Sequence, residues 1–207
     1  MSDNMIRIAP FLQQFPALFP DLVKELPWNI PGNLEAILRT RIKDLSDDYQ
    51  VQGDIAIHRT ASIEDHVTLK GAMIISAGSF IGAHAYLRGG VFLGENSGIG
   101  PGCEVKSSLI MNKSALAHFN FIGDSLVGTM VNFEAGSITA NHFNERADKT
   151  IFVMIDGKRT SIRATKFGAM VGDHSKIGAN AVLSPGTILM PQSIVARLAL
   201  VEQCGPE

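Results

Sequence analysis

The sequence predicts an all-β solenoid, a parallel β-helix of hexapeptide repeats with a short N-terminal helical cap and an inserted hairpin loop. Three observations predict it. Every sixth residue from Ile57 is Ile, Leu or Val, through Ile63, Leu69, Ile75, Ile81, Leu87, Leu93, Ile99 and Val105, and the step returns at Val171, Ile177, Leu183, Leu189 and Val195. Two residues before most of these sits a small side chain: Ala61, Ser79, Ala85, Ser97, Cys103, Ser175, Ala181, Thr187 and Ser193. A glycine often follows the large residue, as at Gly82, Gly94, Gly100, Gly172 and Gly178. An amphipathic helix repeats every 3.6 residues and a half-buried strand every 2, so neither produces this pattern. A parallel β-helix does, because each hexapeptide makes one flat face and one turn, and three close a triangular coil. The aliphatics are expected to stack along the interior, and the glycines to supply the backbone angles of the corners.

Composition bounds the remaining possibilities. The 207 residues hold 18 Lys and Arg against 20 Asp and Glu, a net charge of -2, so no global field draws the chain to nucleic acid or anionic lipid. Hydrophobic residues are 45% and charged residues 18%, with 20 glycines, which describes one folded, turn-rich domain with an extension. Two cysteines, Cys103 and Cys204, make no disulfide framework and lack the paired spacing of a structural zinc site. A soluble protein of the reducing cytoplasm is expected, since no apolar run approaches the roughly 18 residues of a membrane helix.

Residues 1–50 form the cap and extension, 51–200 the β-helix and 201–207 a tail. Within the first segment, residues 1–32 are rich in Pro and Phe and read as loop and short helical turns. The stretch PGNLEAILRTRIKDL then places Leu34, Ile37, Leu38, Ile42 and Leu45 on one helical face, with Asn33 as its cap. A terminal coil left open exposes apolar side chains and unpaired strand edges, so this helix is expected over the open end of the solenoid. The repeat is disturbed twice. From Ile122 to Val127 the step shortens to five, and between residues 142 and 166 it disappears. There, alternation in TIFVMIDGKRTSI predicts a hairpin turning at Asp156-Gly157. Solenoids carry function on such excursions.

Several motifs are set aside. Gly98, Gly100 and Gly102 lie inside hexapeptide turns with no helix following, so they are not a dinucleotide fingerprint. Gly157-Lys158-Arg159-Thr160 lacks the spacing of a phosphate loop, and no G-x-S-x-G elbow occurs. Of the six histidines no two lie five residues apart, the spacing used by the γ-class carbonic anhydrases that share this solenoid, so no metal is expected.

His118 stands out by its surroundings, Ala117-His118-Phe119-Asn120-Phe121-Ile122-Gly123-Asp124-Ser125, followed by Val131-Asn132-Phe133-Glu134-Ala135-Gly136-Ser137-Ile138-Thr139-Ala140-Asn141. This stretch resembles the acetyltransferase domain of the bifunctional glucosamine-1-phosphate acetyltransferase/N-acetylglucosamine-1-phosphate uridylyltransferases, especially archaeal members, whose pattern runs G/P-H-x-x-Y-[LV]-G-D-[AS] and then V-N-x-G-A-G-T-I-T-x-N. The resemblance covers roughly residues 87 to 195 and implies a left-handed coil. It implies that His118 is the general base, that Arg88, in Leu87-Arg88-Gly89-Gly90, and Lys106 hold a sugar phosphate, and that Phe121, Asn132, Asn141 and Lys166 complete the acceptor site. It further implies acetyl-CoA as donor, running along the outside near residues 168 to 196 and touching Ala135, Gly168 and Ala169. A homotrimer with sites between subunits is also implied. Nothing in the matched stretch corresponds to the uridylyltransferase half, so pyrophosphorylase activity is not expected.

The chemistry of these residue types agrees. Acyl transfer to an amine needs a base near neutrality, which histidine provides. Arginine offers a planar fork to a phosphate and lysine a point charge. Arg88 and Lys106 are eighteen residues apart, one full coil, so they stack on the same edge. One departure is notable: Phe121 stands where the family has Tyr, which keeps the ring and loses the hydroxyl. Two alternatives stay open on the sequence: an O-acyltransferase of the UDP-N-acetylglucosamine type, and a non-catalytic binding or assembly module.

Overall fold

The computed structural model describes residues 6–205. Its body is a parallel β-solenoid in which each coil contributes three short strands to three faces. One face is a seven-stranded sheet whose in-register column runs Ile63, Ile81, Ile99, Leu116, Phe133, Ile177 and Val195. The second carries Leu69, Leu87, Val105, Ile122, Thr139, Leu183 and Val201. The third carries Ile57, Ile75, Leu93, Ile110, Val127, Val171 and Leu189. These columns fill the lumen, where Ile75, Ile81, Leu87, Ile99, Val105 and Ile122 have no solvent exposure. The hexapeptide period thus maps onto faces as expected.

The small residues ahead of each aliphatic are buried at the corners. Ser97 Oγ donates to Met111 O at 2.9 Å and accepts from Ser114 N–H, and Ser114 Oγ donates to Gly128 O and accepts from Val131 N–H. Each buried hydroxyl ties one coil to the next, satisfying corner amides that no ladder reaches. Registers of 18 residues in the first coils become 17 from the Val91–Ser108 pair to the Phe121–Ile138 pair and return to 18 in the last coil. Two short steps cause this, Val105 to Ile110 and Ile122 to Val127; the sequence reading found only the second.

The glycines that follow the aliphatics serve a purpose other than the expected one. None of Gly82, Gly94, Gly100, Gly172 and Gly178 has positive φ; a Cβ at Gly82 would lie 2.7 Å from Pro101 N, and one at Gly178 2.5 Å from Arg197 N. They allow one coil to approach the next. The left-handed corner positions are instead filled mostly by side-chain-bearing residues, among them His66, His84, Phe119, Asn180 and Leu198.

The helix Ile30–Ile42 does not cover the open end. It lies along the third face, against strands Met73–Ile75, Tyr86–Leu93 and Glu104–Ile110. Buried Leu34 and Leu38 join Phe15 and Phe19 in a second core with the outward side chains Ile74, Phe92, Leu109, Leu126 and Met170. The physical reason is in those residues: this face is apolar on its outside as well as its inside, so its burial gain exceeds that of one coil end. The helix begins at Ile30 with Pro31 in its first turn, and Asn33 donates to Asn29 O rather than capping. At the open end, strand Tyr49–Gln52 pairs antiparallel with Ile55–His58, leaving a recess of about 580 Å³ bounded by Val51, Ile57, Val67 and Leu69.

The inserted segment contains the expected hairpin, Phe152–Ile155 against Lys158–Ser161, with Ile155 opposite Lys158. Asp156 and Gly157 both have positive φ, the two-residue turn that suits strand twist. Phe167 N–H donates to Asn141 O at 3.0 Å, pinning the two ends of the insertion together. Among the described residues no helix is long and apolar enough to cross a membrane.

Candidate active site

The expected site residues fall on two corners that flank the second face. At the corner after that face, Arg88 and Lys106 are register partners, as the one-coil spacing requires. Lys106 Nζ donates to both oxygens of Asp124, at 2.8 and 2.6 Å, in a mostly buried ion pair. Asn141 Nδ2 donates to the same carboxylate from the next coil, and His142 Nδ1 lies 3.2 Å from Asn141 Oδ1. Arg88 is held by Glu104, with Nε at 2.8 Å and Nη2 at 2.7 Å from one oxygen.

These pairs leave donors to spare. Two of the ammonium hydrogens of Lys106 and two of the five guanidinium hydrogens of Arg88 are engaged. Phe121 follows Glu104 in the same outward row, and a Cβ at Gly123 would meet the Phe121 ring at 2.7 Å and the Asn141 amide at 2.9 Å, so the glycine lets ring and amide meet. Lys166 is exposed beside Phe167 and arrives here because the insertion closes on Asn141. Arg88, Lys106, Phe121 and Asn141 therefore share one corner, and the Lys166 backbone adjoins it through Phe167.

His118 occupies the corner before the second face. It is exposed, and its ring has no hydrogen-bond partner among the described residues. Strand Phe121–Gly123 separates it from Asp124, which is roughly 15–20 Å of extended chain. Asn132 lies further round, outward on the first face beside Lys176. A single chain thus does not bring His118 or Asn132 to the Lys106–Asn141 cluster.

The corner of His118 is a column from coil to coil, linked by Phe119 N–H to Pro101 O, Gly136 N–H to His118 O, Asn180 N–H to Ala135 O and Leu198 N–H to Ala179 O. Ala135, expected at the cofactor, is in the next rung above His118. Ala179 and Arg197 continue the column, and Arg197 is anchored by Glu134, with Nε 2.9 Å from Oε2. Arg197 and the Ala179 N–H hold the Glu134 carboxyl below its usual range.

Gly168 and Ala169, expected to touch the cofactor, are not on this column and are buried. Gly168 N–H donates to Asp124 O and Ala169 N–H to Ser125 Oγ, and Ala169 has no exposed surface. Both belong to the seam where the chain rejoins the solenoid after the insertion. The sequence reading also missed Asp124, Glu104, Ala179 and Arg197 as site neighbours. Asp124 was reachable, since it directly follows Gly123, the residue one coil on from Lys106.

The fold and these corners define a class, the hexapeptide-repeat β-solenoids. Within it, the sequence relatives are bifunctional enzymes with an acetyltransferase half. The chain is 35% identical over 168 residues, 77% of its length and 41% of the relative's, to a bifunctional sugar-1-phosphate nucleotidylyltransferase/acetyltransferase of Sulfurisphaera tokodaii. It is 36% identical over 102 residues, 48% of its length and 23% of the relative's, to the bifunctional protein GlmU of Methanococcus vannielii. The chain therefore spans less than half the length of these relatives. PerB from Caulobacter crescentus, solved with CoA and GDP-perosamine, matches 70% of this chain and 54% of its own at 16% identity and a TM-score of 0.28. No family model matches the chain.

Proposed function

We propose that this chain is an acetyl-CoA-dependent N-acetyltransferase acting on an amino-sugar phosphate such as glucosamine-1-phosphate. The observation that carries the reading is the cluster of Arg88, Lys106, Phe121 and Asn141 at one corner, with an exposed, unbonded His118 imidazole at the other. Arg88 and Lys106 hold the acceptor phosphate with their remaining donors, and Glu104 and Asp124 keep the two cations in place. Phe121 packs against the sugar ring, and Lys166 and Asn141 close the site.

The acceptor amine attacks the thioester carbonyl. His118 takes the proton that the nitrogen loses, and the carbonyl electrons, collected transiently on oxygen, return as the bond to sulfur breaks and CoA leaves as the thiolate. Acetyl-CoA lies along the column Ala135–Ala179–Arg197, where two alanines leave room for a slender arm and Arg197 faces phosphate. The division of the groups between two corners is met by a homotrimer, in which the His118 and Asn132 corner of one subunit faces the Lys106 cluster of another. No metal takes part.

The test is release of free CoA from acetyl-CoA with glucosamine-1-phosphate as acceptor, comparing the intact protein with His118→Ala. Turnover that falls by about 10²-fold or more with His118 supports the reading. Turnover unchanged by the substitution removes the base, and no turnover with a panel of amino-sugar phosphates removes the enzyme.

A further inference from the structure

The cation ladder at the phosphate corner extends one coil beyond the pair that holds a single phosphate. Lys70 is the register partner of Arg88, and Arg88 of Lys106, so three cations stand on consecutive coils of one edge. Neighbouring strands are about 4.8 Å apart, a spacing that adjacent phosphates of one diphosphate bridge. Arg88 and Lys106 are each matched by a carboxylate, whereas Lys70 pairs with no carboxylate among the described residues. Its ammonium lies 5.1 Å from the centre of the Tyr86 ring, and the Arg88 guanidinium lies 5.9 Å from the same ring. Tyr86 thus sits between the two cations and leans both over the outward face. A further carboxylate, Glu35, lies beside Gly71 and is turned to Arg39 at 2.9 Å, and Arg39 also holds Asp54.

The balance of charge is informative. Lys70, Arg88 and Lys106 face Glu104 and Asp124, which leaves a surplus of one positive charge, that of Lys70, around one short groove. Tyr86, Glu104 and Phe121 form the floor of that groove, in register on successive coils, with a flat ring at each end. A sugar against Phe121 with its first phosphate at Lys106 and Arg88 has its next substituent directed at Lys70 and Tyr86.

We infer that Lys70 and Tyr86 form a second phosphate subsite, and that the acceptor is an amino sugar carried on a diphosphate, as in a nucleoside diphosphate sugar. The inference rests on the acetyltransferase reading above for the sugar, but the subsite itself is tested without catalysis. Titration calorimetry compares inorganic pyrophosphate with inorganic phosphate on the full chain, on Lys70→Ala and on Lys70→Arg. Lys70 is exposed and unpaired, so both variants are expected to fold.

The intact protein is expected to bind pyrophosphate about tenfold more tightly than phosphate, the effect of one added charge-assisted contact. Lys70→Ala removes that gap with phosphate affinity unchanged, and Lys70→Arg keeps it. A gap that survives Lys70→Ala, or no gap in the intact protein, overturns the subsite. In the CoA-release assay, kcat/KM for UDP-glucosamine is expected to exceed that for glucosamine-1-phosphate about tenfold through KM, and Lys70→Ala to narrow the ratio. Turnover confined to glucosamine-1-phosphate overturns this inference and keeps the acetyltransferase. Turnover with neither acceptor overturns the acetyltransferase and with it the sugar, while calorimetry still decides the subsite.

Discussion

Replacing Gly100 by Ala tests the role assigned to the glycines that follow the lumen aliphatics. A Cβ at Gly100 would stand 1.6 Å from Ala117 O and 2.6 Å from Ala117 C, both backbone atoms of the coil above. To reach even the 3.0 Å that marks the lower limit of real contacts, the coils must part by about 1.4 Å. The hydrogen bonds that fix their spacing, Gly100 N–H to Leu116 O at 2.8 Å and Phe119 N–H to Pro101 O at 3.2 Å, resist this. Overpacking costs about 1–3 kcal/mol, and each interrupted bond adds about 1 kcal/mol, so a loss of about 3–5 kcal/mol follows.

The internal control is Gly98, two residues earlier, at the start of the strand Gly98–Ile99, which has no positive φ and nothing within 4 Å of its Cβ position. Gly98→Ala should be neutral or stabilise by up to about 1 kcal/mol, because it lowers the entropy of the unfolded chain alone. The assay is equilibrium urea unfolding followed by circular dichroism, with the two variants measured beside the parent. Equal midpoints for the two variants would refute the argument, since a general preference for glycine in this strand affects both sites alike. The backbone clash distinguishes them.

Two further predictions concern ionisation and thiols. Glu134 is held below its ordinary value of 4.5, first by the side-chain bond from Arg197 and then by the Ala179 N–H, so its contribution to stability is present above about pH 4.5 and fades as pH falls through the lower folded value. Urea midpoints of the parent and Glu134→Gln should therefore differ most near pH 7 and converge toward pH 3; a difference that grows on acidification would contradict this. Burial raises the Cys103 thiol, which is 1% exposed in the lumen, and also raises that of the half-buried Cys204. A disulfide reagent at pH 8 should modify Cys204 in the folded protein and reach Cys103 only in denaturant, so rapid native modification of both would show that the lumen opens.

The electrostatics of the phosphate corner explain how a cationic edge persists in a chain of net charge -2. Arg88 and Lys106 would repel across adjacent coils if both stood bare. Glu104 and Asp124, each one coil beyond the cation it pairs, neutralise them locally and also fix the direction of their free donors. The buried member is the Lys106–Asp124 pair, and Asn141 completes the hydrogen bonding that such a pair requires away from water.

The solenoid was legible in the residues alone because its rule is local and repeated. A large aliphatic every sixth position can be buried in only one way once three faces close, and Asp156-Gly157 selects its turn through its own φ angles. One-coil spacing likewise placed Arg88 beside Lys106, whereas the next coil is one residue shorter and pairs Lys106 with Gly123, so that Asp124 meets it through the side chain. What the tertiary structure decided depends on comparing distant surfaces. The helix Ile30–Ile42 has an apolar face that suits a coil end as well as a lateral sheet, and the outward row Ile74, Phe92, Leu109, Leu126 and Met170 settles the choice. No local signal separates a glycine needed for φ from one needed for a neighbour's backbone, so the role of Gly100 emerged only from the stacked coils. The separation of His118 from Lys106 and Asn141 follows from the triangular cross-section, which puts residues six apart in sequence on different corners and residues eighteen apart on the same one.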